Sequence, residues 1–178
     1  RKLNMTGVNL LEKLLDSYQS SYDIDRAYDV DGDIYDAHAS FNVTSAKYVL
    51  IKKAELWRAN CFEHVFFRVL EELTVQDIER FRRQIVTYIE PTLVRGGKKC
   101  PEKDHMYTYM TGVFIAGHGV SDQVKKMVKS FGYVKNYRFA IRGYSEARLL
   151  VFDLENHKVF GNRAAKDLVK GYTKAGII

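Results

Sequence analysis

The chain has 178 residues, 46% hydrophobic and 28% charged, with a formal net charge of +6. These are globular proportions for one domain, with apolar material for a sizeable core, and they exclude wholesale disorder. No apolar run reaches the ~18–20 residues of a membrane span. No apolar stretch follows a basic start as a secretory signal requires, so a cytoplasmic protein without a membrane partner is expected.

The first predicted element is a helix, since Val8, Leu11, Leu14, Leu15 and Tyr18 share one face at helical spacing. From Tyr22 to Leu73 the pattern turns to alternating Tyr-, Val- and Phe-rich stretches, with a tight-turn signal at Asp31-Gly32. It predicts an antiparallel meander of strands over 23–30, 34–45, 47–59 and 62–71. Thr74 with Asp77 forms a capping-box pattern for a second helix, carried by Ile78, Phe81, Ile85, Tyr88 and Ile89 and ending near Pro91. The Gly- and Lys-containing stretch 93–104 reads as an exposed loop and the best internal boundary.

Residues 106–116 read as a buried strand, followed by a Gly117-His118-Gly119 turn. Ser121 caps a helix with Val124, Met127, Val128 and Phe131 inward, and Gly132 is placed to end it. Strands over 133–141 and 147–154, a return strand over 158–160 and a final helix capped by Asn162 complete the chain. The expected fold is α/β (α+β), a mixed, largely antiparallel sheet packed with about four helices, as a single domain over residues 1–178.

Several chemical patterns are weak. Asp29-Val30-Asp31-Gly32-Asp33 begins like a calcium loop, but its glycine is at position 4 instead of 6, and position 12 is Ser40. Cys61/His64 and Cys100/His105 have zinc-ligand types without the usual spacing, and Cys61 and His64 should face opposite sides of a strand. Two cysteines in a chain of this length suit free thiols. Asp36 with Glu55, and Glu146 with Arg148, lack the lysine of a metal-dependent nuclease motif, which leaves Asp153 and Glu155 as candidate hydrolase carboxylates. Gly117-His118-Gly119 could cradle a phosphate, though Asp122 stands where the third glycine would fall. Neither a metal nor a cofactor is expected.

Charge is the stronger signal. Residues 121–178 hold 12 Lys/Arg against 5 Asp/Glu, while residues 1–120 are nearly balanced at 16 against 17, so the basic excess sits in the last third. The candidate binding residues are Lys125, Lys126, Lys129, Lys135, Arg138, Arg142 and Arg148, with Arg138 and Arg142 two pleats apart on one strand face if the alternation over 133–141 runs on to residue 142. They would hold a DNA or RNA phosphate backbone in a salt-dependent way without reading its sequence.

The block His105-Met106, Thr111-Gly112-Val113, the Lys-rich helix, Gly143, then Arg148 through Leu154 and Lys158-Val159-Phe160 looks like a poorly characterised family of Firmicute proteins of similar length. Within that neighbourhood the chain resembles anti-CRISPR proteins of gut Firmicutes that inhibit the RNA-guided nuclease of type II systems. The resemblance implies a non-enzymatic inhibitor that binds the nuclease with its guide RNA and blocks DNA cleavage. It transfers no individual residues, and the basic charge departs from the acidic surface of DNA-mimicking inhibitors. The alternatives from other classes are a metal-dependent nucleic-acid hydrolase and a general nucleic-acid-binding domain.

Overall fold

The computed structural model describes residues 5–42 and 61–178. Helix α1 (Gly7–Tyr18) leads into the hairpin β1 (Asp23–Val30) and β2 (Asp33–Asn42), then β3 (Cys61–Leu70). Helix α2 (Val75–Gln84) runs on as a π-helix (Ile85–Val94), followed by β4 (Tyr107–Ala116) and α3 (Asp122–Ser130). The short β5 (Val134–Asn136), β6 (Tyr144–Asp153) and β7 (Lys158–Gly161) precede a 3₁₀ turn (Arg163–Ala165) and α4 (Lys166–Ala175).

The strands form one sheet in the order β1-β2-β3-β4-β6-β5, with β7 also paired to β6. The ladders β3–β4 and β4–β6 are parallel and the other four antiparallel. This is the mixed, largely antiparallel α+β architecture that the sequence predicts. The parallel centre explains why β4 reads as a continuous apolar run, because a strand covered on both faces shows no alternation.

Helix α2, the π-helix and α3 cover one face, where Ile78, Phe81, Ile85, Ile89, Val124 and Val128 meet Phe66, Met110, Phe114 and Val151. Helices α1 and α4 cover the other, where Leu10, Leu14, Leu168 and Tyr172 meet Val65, Phe67, Val113, Ile115 and Phe152. Gly112 is required at the centre of β4, since a Cβ there would lie 2.8 Å from the Phe81 ring.

The sequence signals for turns and caps correspond to real bonds. Asp31 and Gly32 take φ of 52° and 86°, the left-handed pair that a two-residue hairpin needs. Thr74 and Asp77 form both halves of the capping box, and Ser121 Oγ accepts from Val124 N–H at 3.2 Å.

Two expectations differ, and a third falls on residues that are not described. The strand predicted over 47–59 lies outside the described residues, and β2 pairs directly with β3. The second helix does not stop at Pro91: the chain widens to π geometry and carries the proline inside it. An ordinary helix would set the proline ring against a carbonyl one turn back, and a π segment opens that spacing.

The strand predicted over 133–141 is the largest correction, because pairing ends at Asn136. Tyr137 turns inward and Arg138, Phe139 and Ala140 all adopt left-handed φ values. Arg138 and Arg142 therefore do not share a strand face.

Candidate polyanion-binding edge

Seven of the basic residues of the last third come from three elements that meet beside β7. In α3, burial of Val124 and Val128 turns Lys126 and Lys129 to solvent and leaves Lys125 half-buried at the rim. The β6–β7 turn is tied by the buried Asp153 carboxylate, which accepts from the Asn156 backbone N–H at 3.1 Å and from its Nδ2 at 2.8 Å. That turn presents His157 and Lys158. In α4, Leu168, Val169 and Tyr172 pack inward, so Lys166, Lys170 and Lys174, one turn apart, are exposed.

A shallow concavity of about 300 Å³ lies between these elements, lined by Lys125, Lys129, His157, Lys158 and Thr173, among others. None of the seven lysines forms an ion pair among the described residues. Their charges are open to an external anion.

The sequence-predicted residues thus divide. Lys125, Lys126 and Lys129 belong to this edge. Lys135, on β5, is half-exposed and paired within the protein, its Nζ 3.5 Å from a carboxylate oxygen of Glu90. Glu90, 1% exposed on the π-helix, also accepts from Arg95 Nε at 2.7 Å, Arg95 Nη2 at 3.0 Å and Tyr137 OH at 2.8 Å. Burial alone would raise its pKa, but the bonds from Arg95 and Tyr137 and the charge of Lys135 prevail and hold it below the usual carboxylate range.

Arg138 is exposed at the β5–β6 hairpin tip, and Arg142, half-buried, donates from Nη1 to the Pro101 carbonyl at 3.3 Å. Arg148 is held by partners within the protein. It lies on the α1/α4 face, paired with Glu63, hydrogen-bonded through Nε to Thr111 Oγ1 at 3.1 Å and stacked 4.2 Å from the Tyr109 ring. Burial lowers its pKa.

Lys158, Lys166, Lys170 and Lys174 were counted in the charge excess but not singled out. The four-residue spacing of the last three was the signal that could have found them.

The weaker motifs have structural occupations. Gly117 N–H donates to the Leu70 carbonyl, His118 N–H to that of Glu71 and Gly119 N–H to the Glu155 carboxylate, so the glycine turn has no amide left for a phosphate. Asp29 accepts from Gly32 N–H at 2.6 Å, while Asp33 binds Arg68 at 2.8 Å and Gln84 at 2.7 Å. His105 uses one ring nitrogen on the Arg142 carbonyl and the other on Thr108, each at 2.7 Å. Cys61 and Cys100 are free thiols. Among the described residues no three His, Cys, Asp or Glu side chains gather as metal ligands, and no helix is long and apolar enough to cross a membrane.

Neither a curated protein nor a solved structure matches the chain. A family pattern does match, over residues 7–174, from the first residue of α1 almost to the end of α4. The chain belongs to the family described as a domain of unknown function, DUF8052.

Proposed function

We propose that this protein is a non-enzymatic interaction protein that engages the phosphate backbone of DNA or RNA along the edge built by α3, β7 and α4. The observation that carries the reading is that Lys125, Lys129 and Lys158 line one concavity and that Lys126, Lys166, Lys170 and Lys174 lie on the two helices beside it, none of the seven ion-paired among the described residues. Lysines that meet phosphates release condensed counterions, which gives affinity without sequence preference. The carboxylates a hydrolase would use, Asp153 and Glu155, accept bonds from Asn156 and Gly119 that shape two adjoining turns.

The test is anisotropy of a short labelled duplex titrated with protein. Lys125→Glu combined with Lys129→Glu and Lys170→Glu is expected to weaken binding by roughly 100-fold or more at low salt. Lys135→Gln should leave it within a few-fold. Equal binding by wild type and the triple variant would sink the reading.

Inhibition of a type II CRISPR nuclease with its guide RNA is the specific form suggested by the resemblance of the strand and turn pattern, which covers most of residues 20–175. In that form, cleavage by the guide-loaded nuclease stops near a 1:1 ratio to added protein. Full cleavage at large excess would remove the specific form and leave the general one standing.

A further inference from the structure

The hairpin between β5 and β6 turns through residues 137–143, where Arg138, Phe139 and Ala140 take φ of 49°, 54° and 68° in succession. Side chains other than glycine visit this region as single residues, because Cβ crowds the following carbonyl, so three in a row persist only where the surroundings impose them. The loop is bonded to itself: Tyr137 N–H to the Gly143 carbonyl at 3.0 Å, Ile141 N–H to that of Arg138 at 3.1 Å, Arg142 N–H to that of Tyr137 at 3.1 Å and Gly143 N–H to that of Ala140 at 3.0 Å.

Its base is bolted to the core. Tyr137 OH bonds Glu90 and Ser145, His105 holds the Arg142 carbonyl, and Gly143 at φ 75° lies against Met106, leaving no room for a Cβ.

This rigid loop displays apolar surface. Phe139 is fully exposed and Ile141 77% exposed, with Met106 42% exposed at the base. Arg138 is exposed beside Phe139, and the loop that Arg142 fastens through Pro101 exposes Lys98, Lys99 and Lys103 against Glu102, which pairs with Lys98, and Asp104, so cations outnumber carboxylates around the tip.

We infer that the tip is a wedge that inserts Phe139, with Ile141 behind it, between stacked bases of a duplex that runs the length of β6, about 30 Å, from the basic edge at its Asp153 end to the tip at its Tyr144 end. The inference rests on the phosphate-binding reading above and adds the step that follows contact. Apolar side chains at such tips unstack a base step and bend the duplex, in exchange for wider contact with the protein. Two features favour this occupant. The flanking cations match a polyanion, and insertion into a stack needs a fixed side-chain direction, which the left-handed loop supplies and a fluid lipid surface does not require.

The test uses the full chain and a short duplex carrying 2-aminopurine at successive positions, read by anisotropy for binding and by fluorescence for unstacking. Wild type should bind with a several-fold rise in fluorescence at one or more positions. Phe139→Ala, a change at a fully exposed site that leaves the fold intact, should bind with the same salt dependence and lose that rise. Saturated binding without a fluorescence change, or an unchanged rise in Phe139→Ala, overturns the wedge and leaves the basic edge in place. Absence of wild-type binding at low salt overturns both. Phe139-dependent sedimentation with phosphatidylglycerol vesicles, without unstacking of the duplex, would assign the tip to lipid and overturn the inference.

Discussion

Asn162 and Leu149 exchange two hydrogen bonds, Asn162 N–H to the Leu149 carbonyl and Leu149 N–H to Asn162 Oδ1, both at 3.0 Å. The Asn162 Nδ2 group also donates to the carbonyls of Ala147 at 3.1 Å and Phe131 at 3.2 Å. Strand β5 pairs with residues 144–146 of β6 and β7 with residues 150–153, so one side chain serves the stretch of β6 left between them. Asn162→Asp keeps the shape but replaces both donors by an acceptor facing two carbonyls. A loss of roughly 3 kcal/mol or more is expected, measured as a lower urea midpoint with an unchanged slope. An unshifted midpoint would show that the amide is dispensable.

The Glu63–Arg148 pair predicts both a stability effect and a null effect on binding. Glu63 also accepts from Tyr22 OH at 2.6 Å and Thr111 Oγ1 at 3.3 Å. Arg148→Met leaves a buried carboxylate without its cation and should cost about 3–5 kcal/mol. Adding Glu63→Leu should recover much of that loss, so the double-mutant cycle in urea unfolding should show strong coupling. Folded Arg148→Met protein should bind duplex as wild type does. A reduced salt dependence in that variant would place Arg148 on the nucleic acid after all.

Two adjacent histidines, together with the buried His105, set the acid side of the stability profile. His38 Nε2 and His64 Nδ1 lie 3.0 Å apart, with Tyr28 stacked on His38 at 4.1 Å between ring centroids. Burial pushes His38 down to about 4, and burial with the neighbouring His38 pushes His64 down to about 3. Above the ordinary histidine value near 6.5 both are neutral in either state, and their burial costs nothing in protonation. Below it the unfolded chain takes up protons that the folded chain refuses, so stability falls from about pH 6.5 towards the folded values. The slope is roughly 1–1.5 kcal/mol per pH unit for each histidine. The lowered carboxylates Glu90 and Asp33 lose their contribution only at lower pH. Urea unfolding between pH 7 and 5 therefore reads the buried histidines, His105 included because burial lowers its pKa as well, and His38→Phe should make that limb shallower. A wild-type profile that is already flat there would contradict the account.

Local chemistry was legible wherever the partner is close in sequence. The Asp31-Gly32 turn, the Thr74–Asp77 capping box and the caps at Ser121 and Asn162 each close within a few residues. The predicted β1 bounds coincide with Asp23–Val30 for the same reason. The hairpin tip was illegible because Tyr137, which fits an alternating strand by type, is claimed by Glu90 from the distant π-helix. Arg148 reads as surface charge until the fold sets it beside Glu63 on a buried face. The lysines of α3 are legible from their helical face, whereas Lys158 joins Lys125 and Lys129 only through packing around β7.

The most direct test of the basic edge is the slope of log affinity against log salt for a short duplex. Each phosphate contact contributes about 0.9 to that slope. Neutralising Lys125, Lys129 and Lys170 to Gln together should reduce it by about 2–3, while Lys135→Gln and Arg148→Gln leave it unchanged. A slope that is the same in wild type and the triple variant would contradict the claim that α3, β7 and α4 form the phosphate-binding edge.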